Sequence, residues 1–346
     1  MSRLILIAVL ASTAVVPACA QTKSRRDVDR SGRRLVTAET DKAINKGLKW
    51  LADQQNGDGS FGSVGGLSEN VGVTSLAGLA FVASGSTPDR GPYGKQVSGA
   101  TDYLLSRAQP GGLILSPDSN QPMYGHGFAT LFLAEIYGMV QRKDLRPKLS
   151  RAIKLIIASQ NKDGGWRYTP QARDADVSVT VCQMMALRAA RNAGFAVPRE
   201  TVDKCVLYLR KCQNEDGGFR YQLESARESM FPRSAAAVVG LYSAGIYSGK
   251  DVSAGLNYLN RFQPSPTLRI NAYYFYGHYY GAQAMWQAGG KHWFDWYPAI
   301  RDDLLRSQSP EGRWRDTQPS VGSRYATAMA LLVLQTPNNL LPIFQR

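Results

Sequence analysis

The chain has 346 residues, of which 44% are hydrophobic and 20% charged, and it carries a net charge of +14. These are the proportions of an ordinary soluble protein and exclude a wholly disordered chain. Beyond the first twenty residues no apolar run reaches the about twenty residues needed to span a bilayer, so no transmembrane helix is expected there.

Residues 1–20 read as an export signal. Arg3 precedes an apolar run from Leu4 to Val16, and Pro17-Ala18-Cys19-Ala20 follows with an Ala-x-Ala ending. Val16-Pro17-Ala18-Cys19 also resembles a bacterial lipoprotein cleavage box, which would make Cys19 a lipidation site; ordinary signal cleavage is the alternative. The expected location is the periplasm or cell envelope. Residues 21–39 follow as a basic linker, with Lys23, Arg25, Arg26, Arg30, Arg33 and Arg34 against Asp27 and Asp29. It has no apolar period and reads as disordered. A solvated tether is the simple reading; attachment to an anionic membrane surface, through the linker or Cys19, is the sharper one. No nucleic-acid motif is present, and an exported protein rarely meets nucleic acid.

Residues 40–337 carry a repeat. Gln55, Gln109, Gln160, Gln213, Gln263 and Gln308 each close a helix-like stretch with Leu or Ile four residues earlier, at intervals of 54, 51, 53, 50 and 45 residues. A period near fifty is the mark of a repeat architecture. Before Gln55, Ile44, Leu48 and Leu51 fall on one helical face, and the same offsets recur before Gln160, Gln213 and Gln263. A turn follows: Asn56-Gly57-Asp58-Gly59, Asn161-Lys162-Asp163-Gly164, Asn214-Glu215-Asp216-Gly217 or Ser309-Pro310-Glu311-Gly312. Gly and Asn permit the left-handed backbone that ends a helix. Six residues after the Gln stands Phe61, Trp166, Phe219 or Trp314, read as a clamp folded over the helix end with the Gln amide bonding loose backbone groups. A second helix, rich in small residues, then spans roughly 71–84, 126–139, 178–193, 234–244, 277–288 and 323–334. Small side chains allow close approach, so these six form an inner ring and the first helices an outer one. The expected fold is all-α: an α/α toroid, a closed double ring of six helical hairpins. Residues 338–346 are left as a C-terminal tail. Cys182, Cys205 and Cys212 are expected as buried thiols, since Cys205 and Cys212 stand about 10 Å apart on one helix, beyond disulfide reach.

These residues resemble the squalene cyclase and protein prenyltransferase repeat family. Its signature runs Gly, aromatic-Leu, Gln, Gly, Trp, and the first unit offers Gly47, Trp50-Leu51, Gln55, Gly59 and Phe61. The units of Gln160, Gln213 and Gln308 keep Gln, the second Gly and the aromatic; those of Gln109 and Gln263 have lost the clamp. The resemblance implies the toroid strongly. It implies activity only weakly, because members include terpenoid cyclases, zinc-dependent prenyltransferases and repeat proteins of unassigned role.

For class II terpenoid cyclases the resemblance implies an acid motif, Asp-x-Asp-Asp-Thr, at the start of an inner helix. Here Asp174-Ala175-Asp176-Val177-Ser178 stands there, so Asp176 would match the proton donor beside Asp174. Val177 replaces the partner carboxylate, and helix capping by Asp176 or Ser178 is the plainer role. Inner-helix starts would line the central cavity, which brings in Tyr124, His126, Ser178, Arg233, Tyr274, Tyr276, His278, Arg324 and Tyr325. Packing between helices is the competing role for each ring. Such a rim suits an isoprenoid, a glycan or a peptide. No metal is expected: Asp203-Lys204-Cys205 lies on an outer helix, and no Cys-x-x-Cys or His-x-x-x-His spacing occurs. No other cofactor is implied, and Cys-Gly-Glu-Gln and Gly-x-Ser-x-Gly are absent. The reading is an exported toroid that binds a ligand or polypeptide in its cavity; the alternative is a class II terpenoid cyclase using Asp176, and a cyclase fits better than a zinc prenyltransferase.

Overall fold

The computed structural model describes residues 32–62, 69–117, 119–171, 173–265, 273–316 and 322–345. The expected signal peptide, Cys19 and the linker up to residue 31 lie outside them.

Twelve α-helices occur among the described residues: α1 (Ala38–Ala52), α2 (Val71–Ala83), α3 (Gly94–Ser106), α4 (Met123–Ile136), α5 (Leu145–Ala158), α6 (Val177–Asn192), α7 (Arg199–Cys212), α8 (Phe231–Ser243), α9 (Lys250–Leu259), α10 (Tyr274–Ala288), α11 (Gly290–Ser307) and α12 (Gly322–Gln335). The even-numbered helices pack each on the next, and α12 packs on α2, which closes the inner ring. They are buried over most of their length: all of α2 but Gly72 is buried. A helix without a polar face belongs in an interior. The odd-numbered helices are amphipathic, as in α1, which buries Ile44, Leu48 and Leu51 and exposes Lys42 and Lys46. The result is the α/α toroid.

The glutamines bind differently from expectation, and the difference explains the closure. Gln55 Nε2 donates to Gly59 O of its own turn and to Gln96 O of the next outer helix, both at 2.9 Å. Gln160 reaches Gly164 O and Thr201 O, and Gln213 reaches Gly217 O and Asp251 O. Gln308 bonds Gly312 O and, at 2.9 Å, Ala43 O of α1, so the sixth unit docks on the first as any unit docks on its successor. Gly312 has φ +105°, and a Cβ there would stand 2.6 Å from Lys46 O; only glycine fits this approach. Gln109 and Gln263, in the units without a clamp, are exposed. Trp166 and Trp314 are buried, and their Nε1 groups donate to Ile156 O and Leu304 O near the preceding helix ends.

The last residues of the basic segment pack on the ring: Gly32 sits against Trp286, Arg301 Nη1 donates to Leu35 O at 2.6 Å, and Thr37 forms a capping box with Thr40. The C-terminal tail buries Leu341, Ile343 and Phe344. Cys182, Cys205 and Cys212 are free and buried. No described helix is long and apolar enough to cross a membrane.

Candidate functional site

All six inner helices start at one end of the ring. In three of them the first N–H is met by the loop of the following unit: Val71 N donates to Ser116 Oγ, Met123 N to Tyr168 O, and Val177 N to Tyr221 O. A second bond repeats one turn further in. The N–H of Phe61, Trp166, Phe219 or Trp314 donates to the hydroxyl of Thr74, Thr180, Ser234 or Thr327. In the second unit Ile114 N donates to His126 Nδ1 at 3.1 Å instead.

That fixes His126, expected on the cavity rim, as a structural group between the rings. It is fully buried, its Nε2 lies 3.3 Å from Ala152 O of α5, and burial lowers its pKa to about 4. Tyr274 and His278 face outward as well. Tyr274 Oη donates to Asp303 of α11 at 2.5 Å, and the His278 ring packs against Tyr274, Phe231 and Trp296. Two arginines hold backbone: Arg233 Nε donates to Phe219 O at 2.9 Å and Arg324 Nη1 to Gly62 O.

The remaining residues converge at the mouth. Ser178 of α6 faces the hydroxyls of Tyr124 (α4) and Tyr276 (α10), and Tyr325 of α12 lies beside Tyr276. Burial pushes all three tyrosine hydroxyls well up from their ordinary value. Phe128 of α4 meets Tyr279 of α10 with ring centroids 6.3 Å apart. These helices stand opposite each other, so the two rings meet across the axis about one and a half turns in from the helix starts. The expected central cavity is thus crossed by side chains below its mouth.

Asp176 is fully buried at its edge. It caps α6, its Oδ1 accepting from Val179 N at 2.8 Å, as the capping role requires. Its Oδ2 accepts from Arg167 Nη1 at 2.8 Å. Arg167 also bonds Tyr221 Oη at 2.6 Å and Asp174 at 3.2 Å, and its guanidinium lies 4.2 Å from the centre of the Tyr168 ring. Tyr168 Oη and Tyr221 Oη are 2.5 Å apart, and Gln222 Nε2 donates to Asp174. Burial pushes the Asp176 carboxyl above its ordinary value, against the pull of Val179 N–H and Arg167. Burial also works against the Arg167 cation, but its bonds to Asp176 and Tyr221 prevail and raise its pKa. With both oxygens engaged by donors, the pair is an ion pair: a protonated Asp176 would forfeit the Arg167 bond. Asp174, the other expected acid, is largely exposed.

Arg167, Tyr168 and Tyr221 escaped the sequence reading. Their signal was a repeated tripeptide, Trp166-Arg167-Tyr168 and Phe219-Arg220-Tyr221, placed alike after the two Gln residues. Asp203 pairs with Arg199 at the surface while Cys205 is buried, so the two do not converge. No group of three or more metal-ligating side chains occurs among the described residues.

Residues 129–280 match the model of the squalene–hopene cyclase C-terminal domain. Drimenyl diphosphate synthase of Streptomyces showdoensis is 26% identical over 186 residues, 53% of this chain and 33% of that protein. Squalene–hopene cyclase of Zymomonas mobilis is 27% identical over 139 residues, 37% of this chain and 20% of that one. The chain thus spans a third or less of these curated relatives. Among solved structures, the type II terpene cyclase MstE from Scytonema aligns over 88% of this chain and 99% of its own, with TM-score 0.60 and 16% identity. The α-1,6-mannanase GH76A of Salegentibacter aligns over 86% and 99%, with TM-score 0.62 and 6% identity. Residues 129–280 are thus similar to the squalene–hopene cyclase C-terminal domain, and the toroid is a fold shared with a terpene cyclase and a mannanase.

Proposed function

We propose that this terpenoid cyclase-like toroid is a binding protein, which holds an isoprenoid ligand at the aromatic mouth without protonating it. One observation carries the reading: both oxygens of Asp176 are occupied, by Val179 N–H and by Arg167. A general acid needs a proton on an oxygen aimed at substrate. Here that oxygen is an acceptor in an ion pair. The mouth suits an extended apolar ligand, because Tyr124, Tyr276 and Tyr325 gather there from three helices, and Phe128 with Tyr279 supplies an aromatic pair below them. The relatives named for terpenoid chemistry favour an isoprenoid over a glycan or peptide.

Cyclisation is the second reading. One observation favours it: burial raises the Asp176 carboxyl, as a general acid requires. The test is product analysis and native mass spectrometry with geranylgeranyl dihydroxybenzoate and with squalene. Bound, unchanged ligand supports the binding reading. Cyclised product from wild type that vanishes in Asp176→Asn would replace it with the cyclase. Residues 1–20 support export as a further part of the proposal; N-terminal sequencing of the protein from the producing cell checks it.

A further inference from the structure

The far end of the ring carries a device that the mouth does not use. After α12 the chain turns through Thr336–Asn338, passes Asn339 in a left-handed conformation (φ 53°), and makes a second short turn at Pro342–Phe344. Gln335 Nε2 donates to Ala80 O and Asn338 Nδ2 to Ala83 O, which pins its start at the C-terminal end of α2. The Pro342–Phe344 turn then packs on α6 and α10, and Ile343 N donates to Glu135 near the end of α4. Since α4 and α10 stand on opposite sides of the ring, a segment touching both lies across its axis. Leu341, Ile343 and Phe344 are the buried seal, while Leu340 is exposed.

We propose that residues 340–345 form a proton-controlled latch over this end of the toroid, and that Glu135 is the group that releases it. Glu135 is 6% exposed. Its sole hydrogen bond among the described residues is the 3.4 Å contact with Ile343 N–H. Tyr279 is the titratable group that faces it from α10; neither α6 nor the latch sets a charge against it. Burial raises its carboxyl to about 8, although the Ile343 N–H pulls it down. Docking therefore keeps Glu135 protonated. With the latch away, water reaches the carboxyl and its pKa returns toward the ordinary 4.5. The sign follows from linkage. Docking is tightest below the undocked value, weakens by up to about tenfold per pH unit as pH climbs toward the docked value, and levels off above it. Release uncovers the apolar side chains of the latch and the helix ends beneath.

The test is hydrogen–deuterium exchange of the 338–345 segment in the whole protein, from about pH 5 to about pH 8, corrected for the intrinsic pH dependence of exchange. Protection is expected to fall steadily with pH in wild type and to stay flat in Glu135→Gln. Ile343→Ala is expected to lower protection at every pH while keeping the slope. This variant keeps the test valid if Glu135→Gln fails to fold. Protection that is flat with pH in wild type, or an unchanged slope in Glu135→Gln, would overturn the proposal.

Discussion

At the scale of single residues, the chemistry of the mouth turns on which groups are already engaged. Asp176 lies where a cyclase acid would stand, yet it caps α6 and pairs with Arg167. Removing the cation should leave a buried charge without its partner. Arg167→Met is expected to cost about 3–5 kcal/mol at neutral pH, read by denaturant unfolding. The loss should shrink on acidification, because the Asp176 carboxyl, left without its cation in the variant, is relieved by taking up a proton. Asp176→Asn in the same background should restore part of it. His126 behaves in the opposite way. Its pKa is lowered to about 4 in the fold, so it must stay neutral there. It contributes its full stability above the unfolded value near 6.5 and loses it as pH falls through that window. Thermal melts from about pH 7 to about pH 4 should show this slope in wild type. His126→Thr, which copies the hydroxyl of the other units, should abolish it.

At the scale of the element, one corner recurs with a hydrogen-bond pattern that depends on its clamp. Gln160 and Gln308 each bond the next outer helix, while Gln109, in a unit without the aromatic, is exposed. Gln308→Ala is therefore expected to destabilise by about 1–3 kcal/mol and Gln109→Ala by no more than about 0.5 kcal/mol, compared by urea midpoint. Trp166→Ala or Phe219→Ala should cost about 3–5 kcal/mol; an unchanged melting temperature would refute the clamp. The corner was legible in the sequence because Gln, Gly and the aromatic act within a few residues of one another. The facing of inner-helix side chains was not. Tyr274 and His278 lie four apart and share one side, and Tyr276 and Tyr280 share another. Their spacing separates the two sets without saying which side meets the outer ring. Asp303, 29 residues away on α11, decides that by bonding Tyr274.

At the scale of the whole molecule, closure makes the mouth a composite of neighbouring units. The carbonyl of Tyr168 holds the start of α4, and that of Tyr221 the start of α6. Their rings flank Arg167, and through it Asp176. This is why the ring itself could be read from period alone, whereas Arg167, Tyr168 and Tyr221 could not: their roles arise only when one unit is laid against the next. The C-terminal segment shows the same limit, since nothing in residues 338–346 announces that Ile343 will meet Glu135 across the ring. Ligand binding without protonation requires an ionised, paired Asp176 at the mouth. Infrared difference spectra of wild type against Asp176→Asn at neutral pH test this directly. A carboxylate signal assigned to Asp176 and no protonated-carboxyl band are expected. A protonated-carboxyl band lost in the variant would contradict it and mark Asp176 as an acid ready to donate.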